Sequence, residues 1–311
     1  MEQKAYQCGP AALESIFRYW ERPADASKIG RGLLGRGERG ILNFALAQYA
    51  KTAGFWVEIR EGNLDQIRGW VREGIPPIVQ LRVGPWGIPV FHFAAVRGYN
   101  DAESLLYLNA GWPETRAIRY APFEKRWAAG GRWMLLICPP ERVRWELSPL
   151  QAADLGLLLE RSGKWSLAKE RYEQALRAMP ESEPIRFNLA NVYLQLGRRE
   201  EAKGLYRELI AQNPASVPYN NNLAWACLEE GRYGESVRIG EEALRKGADR
   251  RHDLLDTLGL AYCRLEDHKK GQAYLVEALE KTPPEDPRVF QEIRAHLEEC
   301  AREGFVESSG G

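Results

Sequence analysis

The feature that most constrains this 311-residue chain is a 34-residue period in its second half. Gly163, Gly197 and Gly231 are 34 positions apart, and Pro180 and Pro214 keep the same step. The same interval separates Ala168 from Ala202 and Tyr172 from Tyr206. A fixed period of this length indicates stacked helix pairs, in which small residues let helices approach and a glycine allows the turn between them.

A 34-residue unit with this alternation of small and large apolar residues is typical of tetratricopeptide repeats. We predict roughly four repeats with a C-terminal capping helix over residues 149–302, followed by a flexible tail over residues 303–311. The concave surface of such an array binds peptides or partner proteins. Asn191, Asn221 and Trp225 are the candidate residues of this groove.

The composition excludes several classes of protein. Lys and Arg together number 43 and Asp and Glu number 43, so the formal net charge is zero, and 44% of the residues are hydrophobic. A disordered chain or a strongly basic nucleic-acid-binding protein would need a charge bias. No apolar run approaches the ~18 residues of a membrane span, and no signal-peptide pattern is visible. We therefore expect neither a nucleic-acid partner nor a membrane span in this chain.

The five cysteines are widely spaced and form no CxxC pair, so the sequence predicts neither a disulfide framework nor a zinc site. Cys227 and Cys263 fall near positions where the repeats place small apolar residues. His252, His268 and His296 share no ligand spacing and are predicted to lie on the surface. We therefore expect no metal site and no cofactor.

The first half, residues 1–146, is a mixture of helices and strands. An i, i+3, i+4, i+7 apolar pattern predicts a helix that starts just after Cys8-Gly9-Pro10, and two further helical patterns follow over residues 43–53 and 64–73. Five strand-like runs come later, between residues 77 and 138. Helices followed by antiparallel strands indicate an α+β fold for this domain, attached to an all-α solenoid.

A cysteine and a histidine carry the candidate chemistry of the first half. Cys8 at the start of a helix is expected to have a lowered pKa, because the helix dipole and the unpaired amides favour the thiolate. A thiol nucleophile needs an imidazole nearby to carry its proton, and His92 is the only histidine before residue 148. Asn109 ends the following strand, where an amide can orient the imidazole ring.

Residues 7–13 (QCGPAAL) and 92–99 (HFAAVRGY) together resemble the bacteriocin-processing-type, papain-like cysteine peptidases. The resemblance covers about residues 1–140, and it implies a papain-like fold with Cys8 as the nucleophile, His92 as the general base and acid, and Asn109 as the orienting group. The family usually has aspartate at this third position. A bacterial subgroup of this family joins such a domain to tetratricopeptide repeats. Because family members are often exported to the periplasm or cell envelope, the localisation of this chain stays open between export and the cytoplasm.

The same resemblance implies a glutamine in the oxyanion hole, usually six residues before the nucleophile. Glu2 occupies that position here, and a carboxylate there would repel the developing oxyanion. Gln3 is the nearest amide donor and is our choice, with Gln7 as the alternative. The backbone amide of Cys8 would supply the second donor.

Two functions from different classes follow from these observations. The first is a cysteine peptidase that forms a thioester on Cys8 and uses the repeats to bind its substrate or a partner. The second is a catalytically inactive peptidase-like domain on a protein–protein interaction scaffold. Acyl chemistry does not fix the acceptor, so an enzyme that hydrolyses or transfers another amide is a third possibility.

Overall fold

The computed structural model describes residues 8–33, 43–83, 90–109 and 115–308. The chain divides into two compact units, residues 1–146 and residues 147–311. No helix within these described ranges is both long and apolar enough to cross a membrane.

The first unit is an α+β structure with five α-helices and six strands in its described part. The helices are α1 (Cys8–Tyr19), α2 (Ala26–Leu33), α3 (Asn43–Thr52), α4 (Leu64–Arg72) and α5 (Tyr120–Ala128). The strands are β1 (Trp56–Glu61), β2 (Ile78–Arg82), β3 (Phe91–Asn100), β4 (Leu105–Asn109), β5 (Arg116–Arg119) and β6 (Trp133–Cys138).

The strands form a single antiparallel sheet in the order β1-β6-β2-β3-β4-β5. Every residue of β6 is buried, since this strand lies inside the sheet and alternates between two covered faces. On the first face, Phe93 and Ile137 pack with apolar residues of α1 to α3. On the second face, Ala94 and Met134 pack against Phe123 and other residues of α4 and α5.

Two elements of this unit were not predicted from the sequence, α2 and β1. Strand β1 has an alternating pattern, WVEIRE, in which Trp56 is buried and the residues after it are partly or fully exposed. A single edge strand far from its neighbour β6 in sequence carries too weak a pattern to stand out. Strand β1 pairs with β6 and forms one edge of the sheet, with Val57 packed against the cluster on the face of α1 to α3.

The second unit is a helical array. Its helices are α6 (Pro149–Arg161), α7 (Trp165–Ala178), α8 (Glu183–Gln195), α9 (Arg199–Gln212), α10 (Val217–Glu229), α11 (Tyr233–Arg245), α12 (His252–Arg264), α13 (His268–Lys281) and α14 (Pro287–Ser308). The 34-residue glycines Gly163, Gly197 and Gly231 lie between paired helices with φ of 68°, 73° and 73°. Residues with side chains rarely adopt this left-handed conformation, so the turn within each repeat favours glycine, and the glycines recur with the 34-residue period.

The end of the array corrects two expectations. Helix α14 is longer than the predicted cap and continues to Ser308, so the tail expected over residues 303–311 is helical as far as the structure describes it. Cys263 and Cys300 form a disulfide between α12 and α14, although the sequence predicted none. The two cysteines are 37 residues apart, and only the stacking of the last helices brings them together.

Candidate functional site

Cys8 is the first residue of α1 and is half-buried. The first backbone N–H groups of a helix have no partner within the helix, so the sulfur lies at the end of α1 where backbone donors are available. Residues Gly9 to Leu13 directly after it are all buried, which fixes the start of the helix in the core. This position leaves Cys8 accessible while its backbone is held in place.

The apolar face of α1 seats this helix on the sheet beside β3. Leu13, Ile16 and Phe17 of α1 belong to the same buried cluster as Phe93, and the Cys8 side chain packs against that cluster. Phe93 follows His92 directly in β3. The helix that carries the candidate nucleophile therefore packs on the strand that carries the candidate base.

His92 is the second residue of β3, is half-buried, and pairs with Leu81 of β2. Burial of the imidazole lowers the pKa of His92 below its ordinary value of 6.5, and the positive charge of Arg116 lowers it further. Both effects favour the neutral ring at pH 7, which is the form that accepts a proton.

Asn109 is the last residue of β4, the strand next to β3, as expected. Its cross-strand partner is Ala95, which is three positions from His92, or roughly 10 Å along a strand. A β-bulge between Val96 and Gly98 shifts the register of the two strands. The structure therefore places Asn109 on the neighbouring strand, while the residue directly across from it is not His92.

The two candidate oxyanion-hole residues, Gln3 and Gln7, lie outside the described residues. The backbone amide of Cys8, at the start of α1, is the one proposed donor within them.

Cys8 differs from the other four cysteines in its surroundings. Cys138 and Cys227 are fully buried free thiols. Burial raises the pKa of Cys138 to about 12 and also raises the pKa of Cys227. Since Cys263 and Cys300 are joined in the disulfide, Cys8 is the one accessible free thiol among the described residues.

The predicted groove residues of the repeat unit lie on the first helices of the repeats, where they join a polar network. The Asn191 amide oxygen accepts hydrogen bonds from the Tyr206 hydroxyl at 2.6 Å and from the Asn222 amide at 2.8 Å. The Asn221 amide oxygen accepts one from the Thr257 hydroxyl at 2.8 Å. Both asparagines thus use their acceptors within the fold, which leaves their amide N–H groups to contact a ligand.

Trp225 of α10 is 37% exposed, so its indole is available for contact on the surface of this helix. Sequence reasoning missed Asn222, which links α10 to Asn191 of α8. The run of three asparagines at positions 220–222 was the available signal. Asn220 has a different role, because it is buried and donates to the backbone carbonyls of Pro214 and Ser216.

All three histidines predicted to lie on the surface are partly buried, and two of them make contacts within the fold. The His296 ring nitrogen Nδ1 lies 2.8 Å from an Asp256 carboxylate oxygen, which connects α14 to α12. His268 lies at the start of α13 beside the disulfide, with its Nδ1 3.8 Å from the Cys300 sulfur. Sequence spacing missed both contacts because each spans more than 30 residues.

Residues 159–226 match the tetratricopeptide-repeat family. A solved tetratricopeptide-repeat protein of the thermophile Thermus thermophilus is similar at 23% identity and a TM-score of 0.42, covering 50% of this chain and 88% of that chain. A tetratricopeptide-repeat protein of Parabacteroides merdae is similar at 19% identity and a TM-score of 0.42, covering 50% of this chain and 59% of that one. Residues 159–226 therefore carry tetratricopeptide repeats, a type of helical array that serves as a scaffold for protein–protein contacts.

A third similar structure is the peptidase domain of Streptococcus ComA, a bifunctional ABC transporter involved in a quorum-sensing pathway. The identity is 16% and the TM-score 0.38, with 44% of this chain and 95% of that chain covered. No curated protein matches the chain. The assignment of a papain-like fold to the first unit is therefore a proposal.

Proposed function

We propose that the first unit is a papain-like cysteine peptidase domain and that the repeats bind its substrate or a partner protein. The supporting observation is the position of Cys8, an accessible thiol at the amino end of a helix that packs on the strand of His92. A structural cysteine is normally buried and inert, as Cys138 and Cys227 are here.

In the proposed reaction the Cys8 sulfur attacks a peptide carbonyl, while its proton moves to His92. The new S–C bond gives a tetrahedral oxyanion, which the Cys8 backbone amide and the Gln3 side chain would stabilise. The oxyanion collapses by breaking the C–N bond, and His92 returns the proton to the leaving amine. Water then hydrolyses the thioester with His92 again accepting a proton, which restores the free thiol.

Asn109 is the proposed orienting group for the imidazole of His92. A neutral amide accepts a hydrogen bond from a ring N–H but does not neutralise an imidazolium, unlike a carboxylate. Asn109 pairs with Ala95, three positions from His92, so the proposed contact is not a direct cross-strand pair. Its contribution to the rate is therefore expected to be smaller than that of His92.

The repeats would supply the binding energy for an extended peptide or a partner protein. Trp225 offers an exposed aromatic surface, and the amide N–H groups of Asn191 and Asn221 can donate to a peptide backbone. Substitution of these groove residues is expected to weaken binding without changing the reactivity of Cys8.

The test uses an activated ester that acylates reactive thiols. The full-length protein should release one equivalent of leaving group per chain in a burst, and Cys8→Ser should abolish it. Cys227→Ser is the matched control and should retain the burst, because this thiol is buried. His92→Ala should slow acylation by about 100-fold or more, the usual contribution of a general base. Equal alkylation of all the free thiols by iodoacetamide would refute the assignment.

The second candidate, an inactive peptidase-like domain on the scaffold, is favoured by one observation. The described register places Ala95, rather than His92, across from Asn109. This function predicts a partner whose binding survives Cys8→Ala and is lost on removal of residues 150–311. Normal partner binding without any acylation burst would select it over the peptidase.

A further inference from the structure

The last helices of the repeat array bring together two cysteines and a histidine that the proposed peptidase does not use. Cys263 lies in α12, His268 opens α13 and Cys300 lies in α14. The two sulfurs and a ring nitrogen of His268 all lie within 4.8 Å of one another. Three separate helices thus contribute one donor atom each to a single point.

The cluster is enclosed by closely packed backbone. Cys263 and Cys300 are only 4% and 1% exposed, while His268 is half-buried at the edge. A Cβ added to Gly271 would lie 2.3 Å from the Cys263 sulfur, so α13 approaches this sulfur as closely as glycine allows. Surrounding packing of this kind holds donor atoms in place.

The spacing of these atoms fits a tetrahedral metal ion. With Zn–S bonds of about 2.3 Å and Zn–N bonds of about 2.0–2.1 Å, a sulfur and a nitrogen ligand stand roughly 3.6 Å apart. His268 Nδ1 and the Cys300 sulfur are 3.8 Å apart. Two thiolate sulfurs on a tetrahedral zinc ion stand about 3.8 Å apart, whereas the sulfurs of a disulfide are bonded at about 2.0 Å. The two sulfurs must therefore separate by nearly 2 Å when the zinc binds. Small rotations about the two Cα–Cβ bonds supply this movement while the Cα atoms, 5.6 Å apart, stay in place.

We propose that reduction of the Cys263–Cys300 disulfide creates a zinc site made of the two thiolates, His268 Nδ1 and one water. Thiolate sulfur and imidazole nitrogen are the donors that Zn²⁺ prefers, and three protein ligands with one open position make the metal exchangeable. The site is gated by redox state, because the disulfide removes two of its three protein donors.

The chemistry balances with ordinary thiol reagents. A dithiol transfers two electrons and two protons to the disulfide, giving two thiols and an oxidised dithiol. Zn²⁺ then displaces the two thiol protons as it binds. In reverse, hydrogen peroxide accepts two electrons from the zinc-bound thiolates and two protons from solvent, giving the disulfide, two molecules of water and free Zn²⁺.

Either state fastens the capping helix α14 to α12. The disulfide does so covalently, and the zinc would do so by coordination from both helices and α13. The reduced form without metal keeps only the non-covalent links, which include the His296–Asp256 contact and the Arg264 ion pairs to Glu299 and Glu303. Loss of both cross-links should loosen α14 in particular.

The test measures Co²⁺ binding by the reduced full-length protein in a Cys8→Ser background, so that the accessible thiol cannot contribute. Thiolate-to-Co²⁺ charge-transfer absorption and intense tetrahedral visible bands should appear at one equivalent per chain and vanish when Zn²⁺ is added. The oxidised protein should show neither signal. Thiol titration before metal addition verifies that the disulfide has been reduced in the folded protein.

His268→Ala should weaken Co²⁺ affinity at least tenfold while the disulfide still forms under oxidation. His252→Ala is the matched control, since His252 likewise opens a repeat helix but lies outside the cluster. Equal affinities for the two histidine variants, or a Co²⁺ spectrum lacking the charge-transfer band, would overturn the proposal. A disulfide that resists reduction until the chain unfolds would overturn it as well.

Discussion

Replacement of Gly259 by alanine tests the close approach of α12 and α13. An alanine Cβ at this position would lie 2.6 Å from Cγ of the fully buried Leu275 and 3.0 Å from the backbone oxygen of Gly271. Optimal carbon–carbon contacts are about 3.5–4.0 Å, so Leu275 must move by roughly 1 Å into a packed cluster. Overpacking of this kind costs about 1–3 kcal/mol.

The helix itself gains from this replacement, which has to be separated from the packing cost. Alanine is favoured over glycine in a helix interior by about 0.8–1.0 kcal/mol. Gly204 of α9 supplies the control, because nothing lies within 4 Å of an added Cβ there. Gly204→Ala should therefore stabilise the protein by up to about 1 kcal/mol, whereas the net effect of Gly259→Ala should run from about zero to a loss of about 2 kcal/mol.

The assay is urea unfolding of the oxidised full-length variants, followed by far-ultraviolet circular dichroism. The helical preference cancels in the comparison, so the two free energies of unfolding should differ by about 1–3 kcal/mol, with Gly259→Ala the less stable. Unchanged slopes with urea would show that the difference lies in the native state. Equal stabilities for the two variants would refute the reasoning, since they would mean that the α12–α13 contact relaxes without cost.

Three further predictions concern charged groups. The Lys203 side chain is fully buried, and its ammonium bonds to Glu230 at 2.6 Å. Glu230→Gln should lower the free energy of unfolding, measured with urea, by about 1–3 kcal/mol, because a buried cation loses a charged partner. The bond to Asp256 raises the pKa of His296 above 6.5. The stabilisation of the protein by this pair is therefore complete below the unfolded-state pKa of His296 and is lost as pH rises through its folded-state pKa. Asp256→Asn should remove this pH dependence from the free energy of unfolding measured over that range. Burial lowers the pKa of His92, so the free energy of unfolding should fall as pH drops from 6.5 toward the folded-state pKa of this ring. The acid limb of the acylation burst should likewise lie below pH 6.5. An acid limb above that pH would contradict the burial of the ring.

The array could be predicted in detail because its signal is repeated and local. Each repeat needs a positive φ after its first helix, and Gly163, Gly197 and Gly231 record that need at a constant interval. The disulfide could not be predicted, since Cys263 fits a core position and its partner lies in the capping helix. Their pairing depends on how α14 stacks on α12, which no local pattern encodes.

Within the first unit, the start of α1 at Cys8 followed from the apolar spacing and from Pro10, which suits a first helical turn. The relation of Asn109 to His92 did not follow. The turn over residues 101–104 pairs Asn100 with Leu105, which directs Asn109 toward Val96, and the bulge between Val96 and Gly98 shifts this partner by one residue to Ala95. Turn length and bulges depend on local backbone energetics that alternating polarity does not report, so the sequence predicted the neighbouring strands and missed their register.

The surroundings of His92 bear on why an asparagine can serve at position 109. Burial and the positive charge of Arg116 both disfavour the imidazolium form of His92. In the proposed peptidase an aspartate at position 109 would oppose them and favour the imidazolium form of His92, whereas the neutral amide of Asn109 would not. In the proposed reaction the Cys8 proton then moves to His92 as the sulfur attacks, when the developing oxyanion supplies the negative charge that stabilises the imidazolium. In the proposed peptidase this arrangement would suit a nucleophile activated by its bound substrate, and the proposed role of the tetratricopeptide repeats is to bind that substrate.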